Sequence, residues 1–143
     1  MTYHISTDKS KLDLNMLHGF LTESYWSPGI PMETVKKAID NSLCFGAYDA
    51  EGKQVGFARV VTDKASFAYL ADVFVLPEFR GKGISRMIME AYSNHPDLQG
   101  LRRHMLATRD AHELYKKYGF TPVPNPEILM QCHDPEVYKR IEE

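Results

Sequence analysis

At 143 residues, 43% of them hydrophobic and 11% aromatic, the chain has the length and apolar content of one compact domain, which excludes a two-domain arrangement and intrinsic disorder. Seventeen Lys and Arg against nineteen Asp and Glu leave a formal charge of −2, so there is no global positive field to hold a nucleic-acid backbone. Cys44 and Cys132 are far apart and in no CxxC spacing, which argues against a disulfide scaffold and a thiolate zinc site and for a reducing, cytoplasmic setting. The N-terminal residues lack the apolar core of a signal peptide and no run approaches the ~18 apolar residues of a membrane span, so a soluble protein without a membrane partner is expected.

Tyr3 to Ser6 reads as a short first strand, followed by a helix on Leu14, Leu17 and Leu21 that stops before the SPG of Ser27 to Gly29. A second helix is expected from Pro31, with Val35, Ala38 and Ile39 as its apolar stripe, ending near Ser42. LCFGAY (Leu43 to Tyr48), QVGFARVVT (Gln54 to Thr62) and FAYLADVFV (Phe67 to Val75) then form an antiparallel meander across polar turns. After Pro77 the period returns to 3.6 with Ile84, Met87, Ile88 and Ala91, and this helix ends near Asn94-His95-Pro96. HMLAT (His104 to Thr108) is a fifth strand, and Ala111, Leu114, Tyr115 and Tyr118 line a helix closed by Gly119. Ile128 to Met130 is expected as a last edge strand, and Asp134-Pro135-Glu136 as the start of a terminal helix. This order implies an α/β fold, a mixed sheet with helices on both faces.

The stretch that carries chemistry is VFVLPEFRGKGIS, Val73 to Ser85, a strand running into a glycine-rich turn and a helix. Gly81 and Gly83 let the backbone approach a ligand, the first amides of the helix point outward, and Arg80 and Lys82 add cations, so the turn has the form of an anion site. Two phosphate-binding patterns fail on spacing: Gly81-Lys82 is followed by Gly83 where a P-loop needs Ser or Thr, and Arg86 stands where a dinucleotide fingerprint needs glycine.

RGKGIS (Arg80 to Ser85) resembles motif A of the GNAT N-acetyltransferase superfamily, written Q/R-x-x-G-x-G/A. The resemblance extends to QVGFARVV, to YLADVFVLPEFRGKG and to AHELYKKYGF, together covering roughly residues 43 to 122. Two departures are Ser85 at the third small position and Thr108 where many members carry an Asn that touches the cofactor. The resemblance implies a mostly antiparallel GNAT-like sheet with splayed fourth and fifth strands, in one domain over residues 1–143. It further implies acetyl-CoA as acyl donor, with its pyrophosphate on Arg80, Gly81, Lys82, Gly83, Ile84 and Ser85. The pantetheine arm is then expected along Val73, Phe74 and Val75, with Thr108 nearby. Tyr115 matches the family's Tyr in LYxxxGF and is the expected general acid, since a phenol can protonate a departing thiolate. On spacing alone it reads as a core aromatic rather than an acid.

Asp72 is a carboxylate inside an apolar run, a candidate general base; the alternative is that it pairs with Arg59 and braces the sheet. A backbone amide near Val73 or Phe74 can stabilise an oxyanion if a bulge frees it from the ladder. The loop Glu23 to Pro31 is expected to shape the acceptor site, with Tyr25 and Trp26 as an aromatic wall, Glu23 for an ammonium, and Tyr69 nearby. The six histidines show no HxxxH or HExxH spacing, so no metal is expected, and Cys44 is not expected to act as a nucleophile. The implied activity is direct transfer of acetyl to a primary amine of a small molecule, in a bacterial branch of the family, with a homodimer common among its members. The competing readings are a peptide or protein acetyltransferase and a non-catalytic acyl-CoA sensor.

Overall fold

A computed structural model describes residues 2–140. In chain order it contains β1 (His4–Ser6), α1 (Leu14–Thr22), α2 (Met32–Asp40), β2 (Leu43–Tyr48), β3 (Gln54–Thr62), β4 (Phe67–Val75), α3 (Ile84–Asn94), β5 (Arg103–Leu106) and α4 (His112–Lys116). The strands form one sheet in the order β1-β2-β3-β4-β5, antiparallel except for the last pair.

Two aspartates fold the meander. Asp49 Oδ1 accepts the amides of Glu51 and Lys53, both at 2.9 Å, to close the β2–β3 turn. Asp63 Oδ1 accepts from Ala65, Ser66 and Phe67 at 2.9, 2.8 and 3.1 Å, while the Ser66 hydroxyl donates to Oδ2 at 2.6 Å. Four donors on one carboxylate favour its charged form and hold its pKa well below the usual range.

Each sheet face carries its own core. On one, α3 buries Ile84, Ile88, Met89 and Tyr92 against Phe45, Val55, Ala58, Val60, Ala68 and Leu70. On the other, Leu17 and Leu21 of α1 and Val35 and Ile39 of α2 cover Cys44, Phe57 and Phe74. Successive residues such as Phe57 and Ala58 enter opposite cores, as strand alternation requires. α1 starts where the Asp13 side chain accepts the Met16 amide at 3.1 Å. Pro31 stands at the cap position of α2, one residue earlier than its expected place inside the first turn.

The end of the chain departs from expectation. Ile128 to Met130 is not a strand: Pro126–Ile128 forms a single 3-10 turn, and the segment pairs with no strand of the sheet. Pro122, Pro124 and Pro126 remove alternate backbone donors, and without those a ladder cannot form. The terminal helix is one 3-10 turn, Val137–Lys139; Asp134 does accept the Glu136 amide at 3.2 Å, but the helix does not propagate. Among the described residues no helix is long and apolar enough to cross a membrane.

Candidate active site

The register of β4 explains the site. Between Phe57 and Arg59, two steps on β3, β4 advances three, from Ala71 to Phe74, so it holds one extra residue. That bulge is the one sequence reasoning required without being able to place. At its start Asp72 takes φ +54°, the left-handed region, which costs a non-glycine residue about 1–2 kcal/mol. The inserted residue also reverses the alternation. Ala68 and Leu70 enter the α3 core, yet Phe74, an even-numbered continuation, lies in the α1/α2 core, stacked on Phe20 with ring centroids 3.8 Å apart.

Two side chains hold Asp72 in this conformation. Arg59 Nε donates to Oδ2 at 2.7 Å, and Trp26 Nε1 donates to Oδ1 at 2.8 Å. The ion pair is largely sheltered, with 21% of the Arg59 side chain and 9% of the Asp72 side chain exposed, and Arg59 also reaches the Ser42 hydroxyl at 3.2 Å. Of the two roles weighed for Asp72, bracing is the one with its partners in place.

β4 and β5 pair only from Phe67 opposite Arg103 to Leu70 opposite Leu106. Beyond Leu70 the edge of β4 that faces β5 has no strand opposite it, and a cleft of about 510 Å³ opens there. Its β4 wall is Tyr69 to Val73, its far wall runs from Leu106 to Ala111 with Tyr115, and Tyr25, Trp26 and Ser27 close one side. The loop bearing these aromatics is well braced: the Gly29 amide donates to Thr22 O at 2.9 Å, the Ser27 amide to the Ser24 hydroxyl at 3.1 Å, and His18 Nε2 lies 3.0 Å from Ile30 O. Trp26 meets Tyr25 edge-on at 5.0 Å and Phe20 at 6.3 Å, so the wall continues into the core through Phe20 and Phe74.

Across the mouth, the Arg109 guanidinium sits over the Tyr25 ring, 3.7 Å from its centroid. Thr108 is spent locally, its hydroxyl accepting the Ala111 amide at 3.0 Å at the start of α4. Tyr115, 9% exposed, lines the cleft, and its hydroxyl has no hydrogen-bond partner among the described residues. Burial first, then the neighbouring Tyr25 and Asp110, push its pKa up to about 12, so the phenol keeps its proton at any neutral pH.

The glycine-rich turn lies at the start of α3. Gly81 and Gly83 have φ +80° and +83°, which only glycine adopts without strain, and Gly83 caps the helix without a side-chain bond. Among the described residues no backbone acceptor takes the amides of Gly81 to Arg86, so they form a bare helix N-terminus with Lys82 beside it. Arg80 Nε donates to Val75 O at 3.0 Å, which ties this turn to the end of β4. An oxyanion rich in acceptor atoms, such as a pyrophosphate, fits these donors. A linear amide-bearing chain fits the open edge of β4.

The structure therefore gathers Tyr25, Trp26, Tyr69, Asp72, Val73, Thr108 and Tyr115 around one cleft. Glu23 stands at the exposed C-terminal end of α1, outside the cleft lining. Cys44 is 1% exposed in the α1/α2 core, where burial pushes its thiol up to about 11. Among the described residues no three His, Cys, Asp or Glu side chains gather as a metal site. Sequence reasoning missed Arg109 and Asp110, whose only signal was a charged pair between a strand and a helix.

The sequence model described as "Acetyltransferase (GNAT) domain" matches residues 40–122, more than half of the chain, and begins after α1 and the aromatic loop. A protein of Xanthomonas campestris pv. campestris, described as a GNAT-family acetyltransferase, has a crystal structure that superposes with TM-score 0.93 at 53% identity, covering 96% of this chain and 97% of that one. A Gibberella zeae protein named as an acetyltransferase is 32% identical over 137 residues, 80% of this chain and 76% of its own. An uncharacterized N-acetyltransferase of Pyropia yezoensis is 32% identical over 105 residues, 66% of this chain, which spans 58% of that relative's length. On the family match over more than half of its length and on these relatives, the chain belongs to the GNAT acetyltransferase family and is an acyltransferase.

Proposed function

We propose that this acyltransferase moves an acetyl group from acetyl-CoA to the primary amine of a small molecule by direct attack, with no covalent enzyme intermediate. The observation that carries the reading is the parting of β4 and β5 after Leu70 and Leu106, with Tyr115 on one side of the gap and the bulged, one-sided edge of β4 on the other.

Acetyl-CoA, when bound, supplies the activated thioester. The amides of Gly81 to Arg86, with Lys82 and the free guanidinium nitrogens of Arg80, bind its pyrophosphate, and Val73 to Val75 offer backbone groups to its amide-bearing arm. The bulge leaves the extra residue of β4 outside the β3 ladder, so an amide at Asp72–Val73 is free to donate to a developing oxyanion. The N–C bond would form first; Tyr115, which holds a proton at Oη, would give it to the sulfur as the C–S bond breaks and regain one from solvent, to which the acceptor's amine releases its own through the mouth of the cleft. Asp72, with both oxygens held by Arg59 and Trp26, is assigned to fixing the bulge and the aromatic wall. The small cleft and its braced aromatic loop support a small acceptor over a protein surface. Two free cysteines, one buried and one exposed, support a reducing compartment such as the bacterial cytoplasm.

Tyr115→Phe tests the assignment. Turnover in a thiol-release assay should fall by about 100-fold or more while CoA affinity, measured by calorimetry, stays within about threefold. Unchanged turnover refutes the acid role of Tyr115.

A further inference from the structure

Four charged residues line the cleft: Arg59, Asp72, Arg109 and Asp110. The first two close on one another at 2.7 Å and offer no net charge to a ligand. The other two are consecutive in the chain, and neither has an ion-pair partner among the described residues. The site therefore presents one unspent cation and one unspent anion.

These two charges stand next to one another on the far wall. Arg109 reaches across the mouth and stacks on Tyr25, a geometry that spends the guanidinium face on the ring and leaves its N–H edge for an acceptor in the same plane. Asp110 lines the same cleft as Tyr115, and after burial and Tyr25 its charge helps the phenol keep its proton. Anything that puts an ammonium beside Tyr115 thus meets a carboxylate there, and anything extending from it toward the Tyr25 loop meets a guanidinium. A diamine or polyamine places a second cation against Arg109 and is disfavoured; an uncharged amine leaves Arg109 unused.

Building on the acyltransferase reading above, we propose that the acceptor is a compact zwitterion, a small molecule with the reacting amine and an anionic oxyacid group on one skeleton. Asp110 receives its ammonium beside Tyr115, Arg109 receives its anion, and Tyr25, Trp26 and Tyr69 cover the substituent between them. A carboxylate and a phosphate or phosphonate share the chemistry that a guanidinium recognises, so both belong to the class.

The test is a thiol-release assay with acetyl-CoA and four matched acceptor series: the common amino acids, their carboxamides, their decarboxylated amines, and aminoalkylphosphonates with amino-sugar phosphates. Binding is read in parallel, without turnover, from the fluorescence of Trp26, the single tryptophan of the chain. The best anionic acceptor should exceed its amide and its decarboxylated amine at least tenfold in kcat/KM, and whichever anionic series leads identifies the oxyacid. Arg109→Gln should remove at least tenfold from that acceptor and less than threefold from its amide, with Arg109→Lys restoring part of the loss. Equal or better turnover of amides or plain amines overturns this inference and leaves the acyltransferase reading standing. No thiol release from any series, with CoA binding confirmed by calorimetry and no Trp26 response, overturns both.

Discussion

Replacing Asp72 isolates the energetics of the bulge. In Asp72→Ala, Arg59 loses its carboxylate while 21% exposed, keeping only the Ser42 hydroxyl. Removing one half of a buried pair costs about 3–5 kcal/mol, and the residual exposure and hydrogen bond bring that to roughly 2. The lost Trp26 hydrogen bond adds about 1 kcal/mol, and alanine at φ +54° carries the same left-handed strain that Asp72 already bears, for a total near 3 kcal/mol. Asp72→Gly loses the same partners but relieves about 1 kcal/mol of that strain, so its cost is about 2 kcal/mol. In an ordinary strand the order is reversed, glycine being the worse substitution by roughly 0.5–1 kcal/mol. Urea titration followed by far-UV circular dichroism measures both, and melting should fall by about 9 °C for alanine and about 6 °C for glycine. A glycine variant less stable than the alanine variant, or both within about 1 kcal/mol of the parent, refutes the left-handed conformation and the energetic role given to the pair.

Further outcomes concern the tyrosines and the glycine turn. Burial raises Tyr92 and Tyr115 from the ordinary value of 10.0 to about 12, so the unfolded chain ionises before the folded one. Their stabilisation is complete below about pH 10 and is lost as pH rises toward 12; urea midpoints should be flat to pH 10 and then fall, more gently in Tyr92→Phe, and a midpoint that rises above pH 10 contradicts the argument. The same Tyr92→Phe variant loses the 2.6 Å contact between the phenol and His104 Nδ1, costing about 1 kcal/mol at neutral pH. Gly81→Ala meets no atom within 4 Å, so its whole effect is backbone strain at φ +80°, about 1–2 kcal/mol. Relief of that strain moves the amides of the turn, and calorimetry should show CoA affinity reduced at least tenfold; unchanged affinity removes the turn from the binding site.

The long helices were legible because each buries a single stripe at helical spacing, and the meander because its strands, covered on both faces, read as near-continuous β-rich runs between polar turns. β2, β3 and β4 have the bounds their apolar runs suggest, since aspartate-rich turns end them. The bulge is invisible to the same reasoning. ADVFVL alternates acceptably in either phase, and only Phe74 stacking on Phe20 reveals which phase β4 follows. ILM at Ile128 to Met130 has strand composition, but the prolines before it and the absence of a neighbouring strand prevail over propensity. Tyr115 and the glycine turn were legible as local motifs. Arg109 was not, because its partner Tyr25 is 84 positions away and their meeting depends on how two loops approach across the sheet.

The two cores on opposite faces of the sheet divide labour in a way that bears on divergence. The glycine turn is anchored through α3 in one core, while the aromatic wall is anchored through α1 and α2 in the other. β2, β3 and β4 feed side chains to both. Changes in the α1/α2 layer can thus remodel which amine is admitted while the layer holding the donor keeps its packing, and effects from the two layers should add when combined. For a protein engineer the α1–loop–α2 segment is an exchangeable cassette: transplanted with Phe74 and the Asp72 brace as its fixed socket, it should carry acceptor preference from one relative to another.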